Sequence, residues 1–176
     1  MTPHLHRRPL VHLVIASLPV VLFIMTLLLA CTSINCPIQN KVTTQYALRK
    51  PNGTADSLRY DTLWISIRRA DGQDTLLLNG HNGASTFSMP ISHTQPEDVL
   101  YVELGDTNNV HHYDTIRILK ENIPHFESVD CQAAYFHLLT SVLTTHHIID
   151  SVIINNPNVT YDPQTVHLHL YIKADR

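Results

Sequence analysis

Val166-His167-Leu168-His169-Leu170-Tyr171-Ile172 puts an aliphatic side chain at every second position. That period of two belongs to a strand with one buried face. Thr62-Leu63-Trp64-Ile65-Ser66-Ile67-Arg68 repeats it, with Leu63, Ile65 and Ile67 on one face and Thr62, Trp64, Ser66 and Arg68 on the other. Asp71-Gly72 then supplies a turn, and Asp74–Leu78 a returning strand, so this region predicts a hairpin. Outward from these two runs the alternation recurs. Val42, Thr44, Tyr46 and Leu48 share a face, as do Phe87 and Met89 before Pro90. Leu100, Val102 and Leu104 follow, closed by Gly105 and Asn108-Asn109. Tyr113–Leu119 and Ile148–Ile154 complete the set. Short strands separated by Gly, Pro, Asn and Asp predict an all-β fold: an antiparallel β-sandwich, immunoglobulin-like or related.

Ala133–Thr145 reads two ways. Tyr135, Leu138, Leu139, Val142 and Leu143 fit a helical stripe, with Asp130 placed to cap it. Phe136, Leu138 and Val142 also fit one face of a strand, with His137, Leu139, Ser141 and Leu143 on the other. The Thr-rich, β-branched composition favours the strand. A β-rich fold with one short helix near 132–144 is the alternative.

The chain has 176 residues, which suits one domain. Charged residues are 15 % of it, against about 25 % in ordinary domains. That excludes a disordered chain and a coiled coil. The net charge of −3 offers no basic surplus, so nucleic acid is not an expected partner.

Arg7 and Arg8 precede Leu10–Ala30, which holds no charged residue. A basic start, an apolar run and small residues at its end form the pattern of an export signal. Leu28-Leu29-Ala30-Cys31 resembles a lipobox, where a diacylglycerol is joined to the cysteine thiol before cleavage. The expected organisation is a lipoprotein signal peptide over residues 1–30, a lipidated tether over 31–40, and a single β-rich domain over 41–176. Cys31 is the lipidation candidate, and the lipid anchor makes the membrane a partner. The other reading is an uncleaved, inner-membrane anchor, since about 18–20 apolar residues span a bilayer. Either way residues 32–176 lie outside the cytoplasm. Removing Arg7 and Arg8 takes the net charge of −3 to −5. Two cysteines then remain, Cys36 and Cys131, and an even pair in an oxidising compartment reads as a disulfide. Closing so long a loop stabilises by about 4–5 kcal/mol in the chain-entropy account.

The second half resembles an uncharacterised lipoprotein family of the Bacteroidetes, a domain of unknown function. The likeness lies in Pro124-His125-Phe126, Asp130-Cys131, Phe136-His137, Ile149-Asp150-Ser151, Asn156-Pro157 and Tyr161-Asp162. Cys36-Pro37 and Thr94-Gln95-Pro96 share it. The resemblance implies an outer-membrane lipoprotein with a β-rich domain and carries no catalytic residue. Thr32-Ser33-Ile34 after the lipid cysteine lacks an acidic run, which favours the periplasmic side of the outer membrane.

Ten histidines follow Cys31. His111-His112 and His146-His147 are adjacent pairs, and His167 and His169 share one strand face. Two imidazoles on one face begin a Zn or Cu site, but no Cys or Glu pattern supplies the remaining ligands. The expectation is no metal and no cofactor. Five triplets read Asp, then Ser or Thr, then an aliphatic residue: those centred on Ser57, Thr62, Thr75, Thr115 and Ser151. Random order would give about 0.7. The triplet resembles the acceptor of periplasmic O-glycosylation in Bacteroidetes, although turn-to-strand junctions enrich it too. Thr62, Thr75 and Thr115, each after a turn, are the leading candidates.

No Gly-rich phosphate loop, G-x-S-x-G or H-E-x-x-H is present, so no enzyme is expected. The expected function is a non-enzymatic protein-interaction or structural module of the cell envelope, its partner another envelope protein such as an outer-membrane barrel. A carbohydrate- or metal-binding envelope module is the alternative. Trp64, the single tryptophan, bears on it: exposed, it would stack on a sugar, but burial between the sheets is the expected position.

Overall fold

A computed structural model describes residues 41–69, 71–128, 131 and 133–173, all within one compact unit, Cys36–Arg176. Cys31 and Cys36 lie outside the described residues. Among those described there is no helix, and so none long and apolar enough to cross a membrane. The strands are β1 (Thr43–Arg49), β2 (Thr62–Arg68), β3 (Asp74–His81), β4 (Thr86–Pro90), β5 (Glu97–Gly105), β6 (His111–His125), β7 (Ala134–Thr144), β8 (Ile149–Ile154), β9 (Asn158–Val159) and β10 (Leu168–Ile172). They form a four-stranded sheet, β4-β1-β10-β8, and a six-stranded sheet, β3-β2-β5-β6-β7-β9.

The fold is all-β and sandwich-like, with antiparallel pairs except one. β1 and β10 run parallel, with Tyr46 opposite Leu168 and Leu48 opposite Leu170. The peptide of Gln45 clamps this pair: its N–H donates to Nδ1 of His167 at 2.9 Å and its C=O accepts from the His167 N–H at 2.9 Å. The sheet orders differ from the ABED and CFG sheets of immunoglobulin domains, so the likeness is one of class.

The period-two stripes become the core. Leu168, Leu170 and Ile172 face inward beside Tyr46, Leu48 and Met89. Leu63, Ile65, Leu100, Val102, Leu104, Ile116 and Ile118 meet them from the six-stranded sheet. Tyr46 stacks on its cross-strand partner Phe87, with centroids 4.9 Å apart and planes 4° apart. The Asp71-Gly72 turn closes the β2–β3 hairpin, with Gly72 at φ 80°, a left-handed conformation that glycine adopts without a Cβ penalty.

The ambiguous segment is strand β7, and the helical alternative is overturned. The cause of the ambiguity is a register shift. Leu119 pairs with Ser141 but Lys120 pairs with Leu139, so Thr140 is extra on β7. Such a bulge swaps the faces of the strand halfway along. His137 and Leu139 point inward before it and Val142 after it. Inward positions three apart imitate helical spacing, and neither of the two strand stripes read from the sequence runs the full length.

β6 is also longer than the expected Tyr113–Leu119. β7 pairs with it as far as His125 opposite Ala134, and Pro124 lies one residue from its end. There a missing N–H removes at most one ladder bond. Past the bulge Lys120 is turned inward, where its Nζ lies 3.0 Å from Asp98 Oδ2 and donates to Gln95 O at 3.1 Å.

Ile116 is wholly buried at the centre of the larger sheet, whereas Leu143 is 57 % exposed on its outer face. We expect Ile116→Ala to cost about 2–5 kcal/mol and Leu143→Ala within about 0.5 kcal/mol. Urea denaturation followed by circular dichroism separates the two.

Candidate binding face on the six-stranded sheet

One face of the six-stranded sheet is spent on the core. The other is open, and strand register decides what stands on it. Ser66 of β2 faces Tyr101 of β5, which faces Thr115 of β6. In the next row Trp64 faces Glu103, which faces Tyr113. Tyr101 is 40 % exposed and Tyr113 61 %. A groove of about 470 Å³ lies over these rows, between Arg68 and Asp74 on one side and Thr145 and His147 on the other.

The groove's polar groups are held in place. Arg68 Nε donates to Asp74 Oδ1 at 3.1 Å, and its guanidinium carbon lies 5.9 Å from the Tyr101 ring centre. His111 Nδ1 meets Glu103 Oε1 at 2.6 Å, and the Tyr113 hydroxyl donates to the same oxygen at 3.5 Å. Both acid–base pairs are solvent-facing and position side chains more than they stabilise the fold.

Trp64 is not between the sheets, which corrects the expected position. It stands half-buried on the outer face, stacked on His111 at 5.8 Å. It lies over Gly105, where a Cβ would come within 3.0 Å of the indole. The glycine that closes β5 is therefore the seat of the tryptophan. So placed, the indole is part of the sheet's surface packing.

Asp114 anchors the groove's far wall from beneath. It lies on the inward face of β6, 4 % exposed. Its carboxylate accepts from the Thr145 hydroxyl, from the amides of His147 at 3.0 Å, Ile148 at 2.8 Å and Ile149 at 2.8 Å, and from His147 Nδ1 at 3.0 Å. Burial alone would push the carboxyl up; the hydrogen bonds from Thr145 and the amides of Ile149, His147 and Ile148 outweigh it and hold the pKa at about 2. His137, behind the sheet, is the converse case. Burial, then the nearby Lys120 charge, lowers it to about 4, and its Nδ1 meets Asn122 Oδ1 at 2.8 Å.

The glycosylation candidates are scattered. Thr62 opens β2, Thr75 lies in β3 opposite Ile67, Ser57 precedes the buried Leu58, and Ser151 in β8 faces Tyr171. Thr115 is on the groove floor, and its triplet acid is the buried Asp114. The histidine pairs do not converge either. His146 Nδ1 donates to the Asp150 carbonyl at 2.8 Å from a turn with φ 61°, and His167 is buried beside Gln45. Among the described residues no group of three His, Cys, Asp or Glu could hold a metal ion. The Cys131 N–H donates to Ser128 O at 3.2 Å.

The sequence reading missed Asp114, although it carried the signal. An acid at the inward position of Tyr113–Leu119, in step with Ile116 and Ile118, needs buried partners. The tyrosine pair gave no such sign, because their neighbourhood depends on register between strands.

Fold and face define a two-sheet β module with an open, tyrosine-bearing sheet surface. The sequence profile of a family of unknown function (DUF6452) matches residues 62–172, from the first residue of β2 to the last of β10, and the chain belongs to that family. No curated protein and no solved structure matches it.

The Asp114 carboxyl sits below its unfolded value, so its contribution is present above about pH 4 and is lost as pH falls to about 2. The loss is on the order of 2 kcal/mol. His137 favours its neutral form, so it removes stability separately as pH falls from 6.5 to about 4. Thermal melts across this range should show both steps in the wild type. Asp114→Asn should lower stability at neutral pH, shrink the lower step, to which Glu97, Asp106 and Asp162 also contribute, and leave the upper one.

Proposed function

We propose that the chain is a lipid-anchored, non-enzymatic binding module of the bacterial cell envelope, which engages another envelope component through the outer face of its six-stranded sheet. The observation that carries this reading is that open face, with Tyr101 and Tyr113 exposed beside a groove on an otherwise ordered sheet. Large aromatic side chains left in solvent on a regular surface mark recognition sites. The most strongly perturbed carboxylate beneath the groove is occupied by backbone amides, a structural use.

Export and anchoring rest on sequence: Arg7 and Arg8, the uncharged Leu10–Ala30, and Leu28-Leu29-Ala30-Cys31. We place the lipid on Cys31 and the module on the periplasmic side of the outer membrane, in a Bacteroidetes lipoprotein; retention in the inner membrane is the competing location. Cys36 is assigned to Cys131 as a disulfide. A protein partner, such as an outer-membrane barrel, would seat on the same face or add a strand at an exposed edge.

The protein should incorporate a radiolabelled fatty acid in the native host, and Cys31→Ala should abolish that labelling. A photo-crosslinking phenylalanine analogue replacing Tyr113 should capture an envelope component, and the same analogue replacing Ile153, on the other sheet, should not. Undiminished fatty-acid labelling of Cys31→Ala sinks the lipid assignment; equal capture from both positions sinks the face.

Intact mass of the native protein tests the remaining assignments. The polypeptide from Cys31 with a lipid and a closed Cys36–Cys131 pair has a defined mass, and any hexose-scale increment reports O-glycosylation. Of the triplets, Thr75 is the expected acceptor and Thr115 is not. Asp74 is 56 % exposed, while the Asp114 side chain is inaccessible. A modified Thr115 peptide would contradict this ranking.

A further inference from the structure

The groove on the outer face combines two aromatic rings with polar groups of both signs. Tyr101 and Tyr113 stand on adjacent antiparallel strands, one cross-strand row apart. That diagonal, about 7–8 Å or less between side-chain roots, lies within reach of a single planar ligand. Arg68 brings hydrogen-bond donors to one side, and Asp74 and Glu103 bring acceptors. His147 Nδ1 lies 3.0 Å from Asp114 Oδ1, and the exposed ring lines the groove. The hydroxyls of Ser66 and Thr115 line the floor between them.

This balance selects among ligands. One guanidinium against two carboxylates does not suit an anion. The core of a protein interface is depleted of charge and built around an apolar anchor in a pocket, whereas here the charged side chains flank the rings themselves. A polyol matches: each hydroxyl both donates and accepts, and the C–H face of a sugar ring packs on an aromatic face.

We propose that this groove binds a neutral glycan, with a sugar ring across Tyr101 and Tyr113 and its hydroxyls shared among Arg68, Asp74 and Glu103. The proposal rests on the reading of the outer face as the binding face and names its ligand class.

The test is calorimetric titration of the full lipidated chain in detergent with chitotetraose, maltotetraose and mannotetraose, and with an oligogalacturonate as the acidic comparison. At least one neutral tetrasaccharide should bind. Tyr101→Ala and Tyr113→Ala should each weaken it about 10-fold or more, Tyr101→Trp should retain it, and Tyr60→Ala, exposed elsewhere, should not change it. Melting temperatures of the tyrosine variants should stay near the wild type, because both side chains are exposed. Binding of the acidic oligomer alone, binding indifferent to both tyrosines, or no binding of any neutral probe overturns the proposal. In the last case, protein capture by the crosslinker at position 113 would keep the binding face and discard the glycan. Absence of any capture would discard both.

Discussion

Asp114 stands at one of the places where the chain passes from one sheet to the other. β7 belongs to the six-stranded sheet and β8 to the four-stranded sheet, and residues 145–148 make the crossing. A crossing of this kind leaves a run of backbone N–H groups with no ladder partner, and burying them unpaired would cost about 1–3 kcal/mol each. The Asp114 carboxylate accepts three of those N–H groups, together with the Thr145 hydroxyl. The returning strand contributes as well: the Lys173 N–H donates to Ile148 O at 2.9 Å, and Lys173 Nζ to His146 O at 2.7 Å. One carboxylate on β6 thus fixes the β7–β8 crossing between the two sheets.

The same fixture reaches the surface. Thr145 and His147 belong to the crossing and also form one wall of the outer groove. Thr145 Oγ1 accepts from the Thr115 N–H at 2.9 Å while it donates to Asp114, so a groove-floor residue and a buried acid share one hydroxyl. A site positioned this way rests on paired strands and a satisfied turn, which hold their geometry better than a free loop. The opposite wall is held differently, by the solvent-facing Arg68–Asp74 pair across the β2–β3 hairpin. The groove therefore has one wall tied to a buried carboxylate and one tied by a solvent-facing ion pair.

How much of this was legible follows from what each feature depends on. The stripes at Leu63–Ile67, Leu100–Leu104 and Val166–Ile172 depend only on local alternation, and they gave the strands and their buried faces directly. The β7 segment depends on a bulge: an extra residue at Thr140 changes which side chains face inward, and no pattern within the segment separates that from a helix. The parallel pairing of β1 with β10 joins the two ends of the domain, and local pattern holds no information about so distant a partner. Trp64 was read as interior on the strength of average burial. The structure instead gives it Gly105 as a seat on the outer face, a contact made across two strands. Cross-strand register likewise assembled Tyr101 and Tyr113.

These dependences also explain why chemistry was hard to see. A motif-based site places its residues on one continuous segment, where spacing reveals them. Here the groove draws Arg68, Tyr101, Tyr113 and His147 from β2, β5, β6 and the turn before β8. Each alone reads as an ordinary outward-facing strand or turn residue. Their meeting is a product of sheet order, since β2, β5 and β6 are neighbours and the crossing turn folds back over β6 at Asp114. The family match runs from β2 to β10 and so contains every strand that builds the groove, while β1, which contributes only to the opposite sheet, lies outside it.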